Sequence, residues 1–244
     1  MTKRLDLILN GKGGVGKSFF AVNFVQYLKD KDVQYIACDC DNENSTLKRF
    51  HDDVIFLDLA QPRALDTMFR SLEKTNLVVV DCRAASTEVF FDYFDHIDLR
   101  GALQSLSAAL TLVMPVNHEA DSIDQLQRIS AKLKNVCSYV VLRNQVHNDS
   151  FTLYEQSAVR QRLRKEFGAK EITMTRLQPW LVEELSLQNL TVTAAANDGH
   201  FYLLDRQRLQ TWQHKLYAEI ESAAEFLLPP RSKRPNLSRN KRQQ

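Results

Sequence analysis

The sequence predicts an α/β protein with a mostly parallel, doubly wound sheet flanked by helices, in a single domain with a basic C-terminal tail. Short apolar runs of strand composition recur along the chain, and segments with apolar residues at helical spacing separate several of them. Such alternation is typical of a parallel sheet covered on both faces. The 244 residues are 44% hydrophobic and 25% charged, which fits one sizeable core.

The first predicted unit is a strand, a glycine-rich turn and a helix. Residues 5–9 form an apolar run, and residues 18–29 carry apolar side chains at helical spacing. Further strands are predicted at residues 35–38, 54–57, 77–80, 110–113, 139–142 and 171–175. Further helices are predicted at residues 62–73, 121–133, 150–167 and 202–228, the last ended by two prolines.

The last fourteen residues contain six cationic side chains and no acidic one, although the whole chain carries a net charge of only +2. We therefore divide the chain into a mildly acidic domain, residues 1–230, and a basic tail, residues 231–244. The tail composition predicts a disordered segment attracted to polyanions. A tail that only aids solubility is an equally good interpretation.

Several classes of protein are disfavoured. No run approaches the roughly 18 to 20 apolar residues that cross a bilayer, and the start lacks an export signal, which predicts a cytoplasmic protein. The cysteines at positions 38, 40, 82 and 137 lie in apolar contexts and are interpreted as buried thiols. The histidines show no ligand spacing, so no structural metal is predicted.

The strongest motif lies between the first strand and the first helix. It satisfies G-x-x-x-x-G-K-[ST] and predicts a loop that binds ATP with Mg²⁺. Glycines let backbone N–H groups surround phosphate oxygens, and the helix directs its positive end at the same anion. Lys17 is expected to reach the β- and γ-phosphates and the Ser18 hydroxyl to ligate Mg²⁺. The expected nucleotide-binding residues of this segment are Gly11, Lys12, Gly13, Gly14, Val15, Gly16, Lys17, Ser18 and Phe19.

Three aspartates follow two of the predicted strands. Asp81 ends one strand and is expected near Mg²⁺ at the carboxyl edge of the sheet. Asp39 and Asp41 follow another, and alternation along an extended chain points both to one side. A single aspartate after a strand is usually a turn residue, but three of them beside a complete phosphate loop indicate a metal and water site.

With Lys12 one residue after its first glycine, this loop resembles the deviant phosphate loop of the ParA/MinD ATPases, K-G-G-x-G-K-[ST]. The resemblance extends over roughly residues 4–200. It implies a homodimer that closes around two ATP molecules, with Lys12 reaching the phosphates of the partner subunit. It also implies that Asp41 positions the attacking water and that Asp39 lies near Mg²⁺, so that Lys12, Lys17 and Asp41 form the catalytic set.

The resemblance also suggests an adenine contact and shows two departures. Asn144 follows a late strand, where members of this family often recognise adenine, although asparagine is also a common turn residue. Many relatives have proline after the second aspartate and a proline pair after the strand-terminal aspartate. This chain has Asn42 and the pair Arg83-Ala84 there, and these loops could instead contact a dedicated partner protein.

The sequence leaves several biological roles open. Plasmid or DNA partition would use non-specific DNA binding and an activating partner protein, and residues 160–165 with the tail could supply basic surface. The opening of the chain is also similar to the TraL-like proteins of mobile elements, which implies an accessory role in conjugative DNA transfer. A protein-positioning module without DNA binding stays possible. Membrane attachment is disfavoured because the tail lacks an apolar face, and a cluster carrier because a C-x-x-C pair is missing.

Overall fold

The structure, a computed structural model, describes residues 2–42, 44–146 and 149–230. These residues form one seven-stranded sheet with strands β1 (Lys3–Ile8), β2 (Ile36–Asp39), β3 (Ile55–Phe56), β4 (Leu77–Asp81), β5 (Ala108–Val116), β6 (Ser138–Asn144) and β7 (Lys170–Met174). The helices of the same residues are α1 (Lys17–Asp30), α2 (Thr46–Phe50), α3 (Asp66–Lys74), α4 (Thr87–His96), α5 (Leu99–Ser105), α6 (Ala120–Leu133), α7 (Thr152–Glu155), α8 (Ala158–Glu166), α9 (Pro179–Gln188), α10 (Val192–Asn197), α11 (Leu203–Ser222) and α12 (Ala224–Leu227).

The sheet confirms the predicted fold class. Its order is β3-β2-β4-β1-β5-β6-β7, and all of these neighbours pair in parallel. Ile8 at the end of β1 lies opposite Asp81 of β4, which in turn lies opposite Asp39 of β2. The carboxyl ends of three adjacent strands therefore meet at one edge, where the loop after β1 begins.

Two hydrophobic cores cover the two faces of the sheet. Leu5 and Leu7 of β1 point into the core that α3 to α8 cover, whereas Ile8 points into the core that α1, α2 and α9 to α12 cover. Because successive side chains of a strand face opposite sides, strands covered on both faces are apolar at nearly every position. This double burial explains why compact apolar runs predicted the strands.

The structure corrects two predicted helices. The helix predicted at residues 150–167 is wrong as one element, because the chain is extended at Ser157, whose hydroxyl caps α8 by accepting a hydrogen bond from Arg160 N at 3.2 Å. The helix predicted at residues 202–228 ends at Ser222, and Ala223 separates it from the short α12. Apolar periodicity continues through both breaks, but at Ser157 a side-chain cap starts a new helix.

Other elements were not predicted, namely α2, α4, α5, α9 and α10. Helix α4 carries four aromatic residues among ten, a composition that favours strands.

No helix among residues 2–230, apart from the three undescribed positions, is long and apolar enough to cross a membrane. The predicted tail, residues 231–244, lies outside the described residues. Three of the four cysteines are buried and Cys137 is half-buried.

Candidate nucleotide site

The loop after β1 has the backbone shape that a phosphate cradle requires. Gly14 and Gly16 have φ angles of +73° and +94°, a region in which side chains other than hydrogen are disfavoured. A Cβ atom at Gly16 would also collide with the side-chain amide of Asn144. Gly16 caps α1, so the first N–H groups of that helix open onto the loop.

Asn10 anchors this loop to the rest of the sheet. Its side-chain amide is buried and donates to the carbonyl oxygens of Pro115, at 2.8 Å, and Ser122, at 3.1 Å. Its side-chain oxygen accepts a hydrogen bond from Lys12 N at 2.9 Å. The sequence did not assign Asn10 a role, and its place directly before the first glycine was the available signal.

Lys17 points into the cradle rather than toward solvent. Its side chain is buried, and Nζ donates to the carbonyl oxygen of Lys12 at 2.9 Å. Burial lowers the pKa of Lys17, while the carboxylates of Asp81 and Asp41 oppose that change. A buried ammonium group at the start of a helix favours an anion there.

Asp81 is the buried carboxylate that fits a divalent cation. Neither of its carboxylate oxygens has a hydrogen-bond partner within the described part of the chain. Burial raises the pKa of Asp81 to about 7, the Ser18 hydroxyl beside it lowers that pKa, and Asp39 raises it. Unpartnered buried oxygens beside a hydroxyl suit Mg²⁺, which prefers oxygen ligands.

Asp39 and Asp41 hold the loop that follows β2. The Asp39 carboxylate accepts hydrogen bonds from Asp41 N at 2.9 Å and Lys48 N at 3.2 Å, and burial raises its pKa. The Asp41 carboxylate accepts from Asn44 N and Nδ2, each at 3.3 Å. Asp39 lies opposite Asp81 in the sheet, and Asp41 is near enough to raise the pKa values of Lys17 and Asp81.

Lys12 takes a different direction from Lys17. Its Nζ lies 3.2 Å from Glu119 Oε2 and 3.2 Å from Asp121 Oδ2, at the start of α6. Both acids raise the pKa of Lys12. About a third of the Lys12 side chain is exposed. Ion pairs within its own chain therefore hold Lys12 at the rim of the site. Nothing in the spacing of these acids pointed to this contact, which joins positions more than one hundred residues apart.

Asn144 and Phe19, the two remaining residues predicted to contact the nucleotide, both use their side chains for contacts within the chain. Asn144 does reach the loop, but its Nδ2 donates to Val15 O at 2.9 Å and its Oδ1 accepts from Val146 N at 3.2 Å. The adenine contact of Asn144 therefore stays a prediction. The ring of Phe19 packs 5.5 Å from that of Trp212, which leaves only its backbone N–H for a phosphate.

Part of the basic cluster at residues 160–165 is paired with acidic side chains of the same chain. Arg160 forms two hydrogen bonds with the carboxylate of Glu171, at 2.8 and 3.1 Å, and Arg162 pairs with Glu166 at 3.4 Å. A second basic surface, not predicted from the sequence, is the groove between the loop after β7 and α11. Its cationic lining residues are Arg176, Arg208 and Lys215, and we call it the α11 groove.

The sheet order, the glycine loop and the strand-terminal aspartates define a P-loop nucleotide-binding protein. Residues 7–177 match the family model described as the CobQ/CobB/MinD/ParA nucleotide binding domain. The chain therefore belongs to this family, which confirms the expected ParA/MinD resemblance and the general ATPase class.

Full-length relatives support a narrower resemblance. Protein MobD of Acidithiobacillus ferrooxidans is 20% identical over 227 residues, which cover 91% of this chain and 98% of MobD. Protein TraL of Escherichia coli is 22% identical over 237 residues, with the same two coverages. The structure of MinD complexed with Mg-ADP from Pyrococcus horikoshii OT3 aligns with a TM-score of 0.55 and 18% identity over 93% of this chain and 99% of that chain. At that identity the last likeness shows the fold alone.

Proposed function

We propose that this protein is an Mg²⁺-dependent ATPase that dimerises on ATP binding and serves as an accessory ATPase in conjugative DNA transfer. The alignment with TraL and MobD over nearly their whole lengths supports this role. The observation that carries the ATPase assignment is the convergence of the phosphate loop with three carboxylates at one edge of the sheet.

The loop and the start of α1 would bind the triphosphate. Backbone N–H groups around Gly14 and Gly16 would surround the phosphate oxygens, and Lys17 would exchange its bond to the Lys12 carbonyl for a phosphate oxygen. Ser18 and Asp81 would hold Mg²⁺, with Asp39 nearby. Mg²⁺ supplies neutralisation of charge on the phosphate oxygens.

Asp41 would orient the attacking water, and Lys12 would make hydrolysis depend on the dimer. Lys12 is bound to Glu119 and Asp121 of its own chain, so dimer formation would replace these ion pairs by a phosphate held in the partner subunit. Lys12 of the partner subunit would add a second cation to Lys17 and so neutralise charge that develops during phosphoryl transfer. Lys12→Ala should therefore leave ATP binding measurable while it removes the dependence of turnover on protein concentration.

A second candidate function is DNA partition, which the α11 groove favours. Arg176 and Lys215 have no ion-pair partner among the described residues, whereas Arg208 pairs with Asp205 at 2.6 Å. The loop that carries Arg176 follows β7 and contacts α11 through the Trp212 indole, which donates to Thr175 O at 2.7 Å. Two unpaired cations beside the nucleotide edge could bind the phosphates of DNA non-specifically.

One experiment tests both functions. ATP hydrolysis by the purified protein is measured with and without double-stranded DNA, and DNA mobility is measured with ATP and with ADP at two salt concentrations. Salt-sensitive binding that requires ATP supports direct DNA holding, as partition requires. Hydrolysis without DNA binding supports action through a partner protein, and an absence of hydrolysis in every condition contradicts both functions.

Matched variants locate the DNA contact. Arg176→Ala combined with Lys215→Ala should weaken DNA binding and lower the slope of affinity against salt by about two. Deletion of residues 231–244 should lower this slope further if the tail binds DNA. Lys74→Ala removes an exposed lysine at the far end of α3 and serves as the control.

A further inference from the structure

A hydrogen bond joins the two loops that leave β2 and β4. Arg83 Nη1 donates to Asn42 Oδ1 at 3.0 Å. The strands themselves are neighbours, with Asp39 opposite Asp81, so the loops leave the sheet side by side. The bond lies at the rim of the nucleotide site, and neither side chain has a role in the site described above.

The β2 side of this bond is tied to Asp41. Asn42 follows Asp41 directly in the chain, and Asp41 N is fixed by the carboxylate of Asp39 at 2.9 Å. Ser45 N donates to Asp41 O at 3.0 Å, while Asn44 N donates to its side chain. A restraint on Asn42 therefore restrains the main chain of Asp41 as well, because the two are separated by a single peptide unit.

The β4 side is tied to the phosphate loop. The Arg83 carbonyl oxygen accepts a hydrogen bond from the Ser86 hydroxyl at 2.8 Å, just before α4. Ala85 N donates to Gly11 O at 3.0 Å, and Ala85 has a φ angle of +56°, which alanine seldom adopts. These contacts fix the shape of the loop relative to Gly11. The guanidinium group of Arg83 therefore starts from a fixed position beside the phosphate loop.

The chemistry of the pair suits a link between loops. An arginine donates through a rigid planar fork, and a side-chain amide oxygen is a good acceptor. The link between the two loops therefore depends on the guanidinium group of Arg83 and the amide oxygen of Asn42.

We propose that the Arg83–Asn42 hydrogen bond is a latch that holds Asp41 in place for hydrolysis, which makes Arg83 and Asn42 positioning residues. This inference rests on the proposed ATPase function. The latch connects the residue after Asp41 to a loop that contacts Gly11. It therefore fixes the position of Asp41, which orients the water, relative to the loop that binds the phosphates. Catalytic geometry is sensitive to displacements of about 1 Å, which gives such a link an effect on turnover without direct contact with the nucleotide.

The test uses Arg83→Ala, Asn42→Ala and the double variant of the full chain. Hydrogen exchange of the Asn44 and Ser45 amides, both of which donate to Asp41, reports the loop directly. We expect exchange to be about fivefold faster and kcat about fivefold lower, equivalent to about 1 kcal/mol, with KM unchanged. The double variant should resemble either single variant, because each one already removes the same bond.

Two control variants separate the latch from general damage. Asn42→Asp keeps an acceptor for the guanidinium group and should stay close to the unmodified protein in both exchange and kcat. Arg100→Ala removes an exposed arginine of α5 and should change neither quantity. Loss of kcat in Asn42→Asp equal to that in Asn42→Ala would contradict the latch.

The exchange measurement distinguishes failure of the latch from failure of the proposed function. Unchanged exchange at Asn44 and Ser45 in both alanine variants would overturn the latch, whether or not the protein hydrolyses ATP. Faster exchange with unchanged kcat, in a protein that does hydrolyse ATP, would overturn the positioning role. Absence of hydrolysis in the unmodified protein would instead contradict the proposed function, with exchange still deciding whether the latch exists.

Discussion

The charged groups at the phosphate loop fall into two regions that differ in how their charges are satisfied. We call Lys17 and Asp81 the floor of the site, and Lys12 with its partners Glu119 and Asp121 the rim. On the floor, Lys17 and Asp81 are buried, and neither carboxylate oxygen of Asp81 has a hydrogen-bond partner in the described structure. On the rim, Lys12 is partly exposed to solvent and is already paired with Glu119 and Asp121. Buried unsatisfied groups are costly, so we expect a bound ligand to stabilise the floor, whereas the rim can exchange one set of partners for another.

The largest expected effect is on the floor. Lys17→Ala removes the buried cation that would bind the phosphates, and we expect ATP affinity to fall by at least about 100-fold, since loss of a buried charged partner costs several kcal/mol. Equilibrium binding of a fluorescent ATP analogue measures this change, with Lys74→Ala as the control. Retention of normal affinity would show that the floor does not bind the triphosphate.

The next effect separates binding from turnover. Asp41→Ala should leave ATP binding within about threefold of normal and lower hydrolysis by about 100-fold, the scale of a positioned catalytic group, and should trap an ATP-bound dimer. Single-turnover hydrolysis and light scattering measure the two quantities. A normal rate of hydrolysis would remove Asp41 from the catalytic set.

A pH series tests the buried charge of Asp81. Burial raises the pKa of Asp81 in the folded protein to about 7, above the ordinary value of about 3.9 for an aspartate, so the folded state binds more protons than the unfolded state between these values. Stability of the nucleotide-free protein therefore falls as pH rises through this window. Asp81→Asn removes that penalty and should stabilise the protein by about 2 to 4 kcal/mol at pH 8, and by less at pH 5.

Thermal or urea unfolding at the two pH values measures the difference. Asp124→Asn, at an exposed position of α6, is the matched control and should show no such dependence. Addition of Mg²⁺ with nucleotide should stabilise the unmodified protein and have much less effect on Asp81→Asn. An equal gain at both pH values would contradict the raised pKa.

The smallest effect is expected at the rim. Glu119→Gln combined with Asp121→Asn frees Lys12 from its ion pairs within the chain, and exposed pairs contribute only about 0.2 to 1 kcal/mol each. We expect the ATP-bound dimer to form at a concentration lower by about two- to fivefold, measured by analytical ultracentrifugation. A weaker dimer would show that these acids act in the interface rather than as competitors for Lys12.

The floor was predictable from the sequence, and the rim was not. The spacing of Gly11, Lys17 and Ser18 within a strand-turn-helix unit determined the loop, and aspartates at strand ends predicted the carboxylate cluster. The contact of Lys12 with Glu119, by contrast, depends on where α6 begins in space. For the basic residues at 160–165 the sequence suggested more available charge than the fold leaves. Arg160 was counted as basic surface, but it pairs with Glu171 in the fold.

The sequence by itself determined the parallel α/β class, the family and the floor of the site, because strand burial and the phosphate motif act over short stretches of chain. Only the tertiary structure decided which charges remain available. It pairs Lys12 with α6, joins Arg83 to Asn42 and leaves Arg176 and Lys215 in the α11 groove. Ion pairs and hydrogen bonds between distant positions depend on a few ångströms of spatial separation, and no periodicity along the chain encodes such distances.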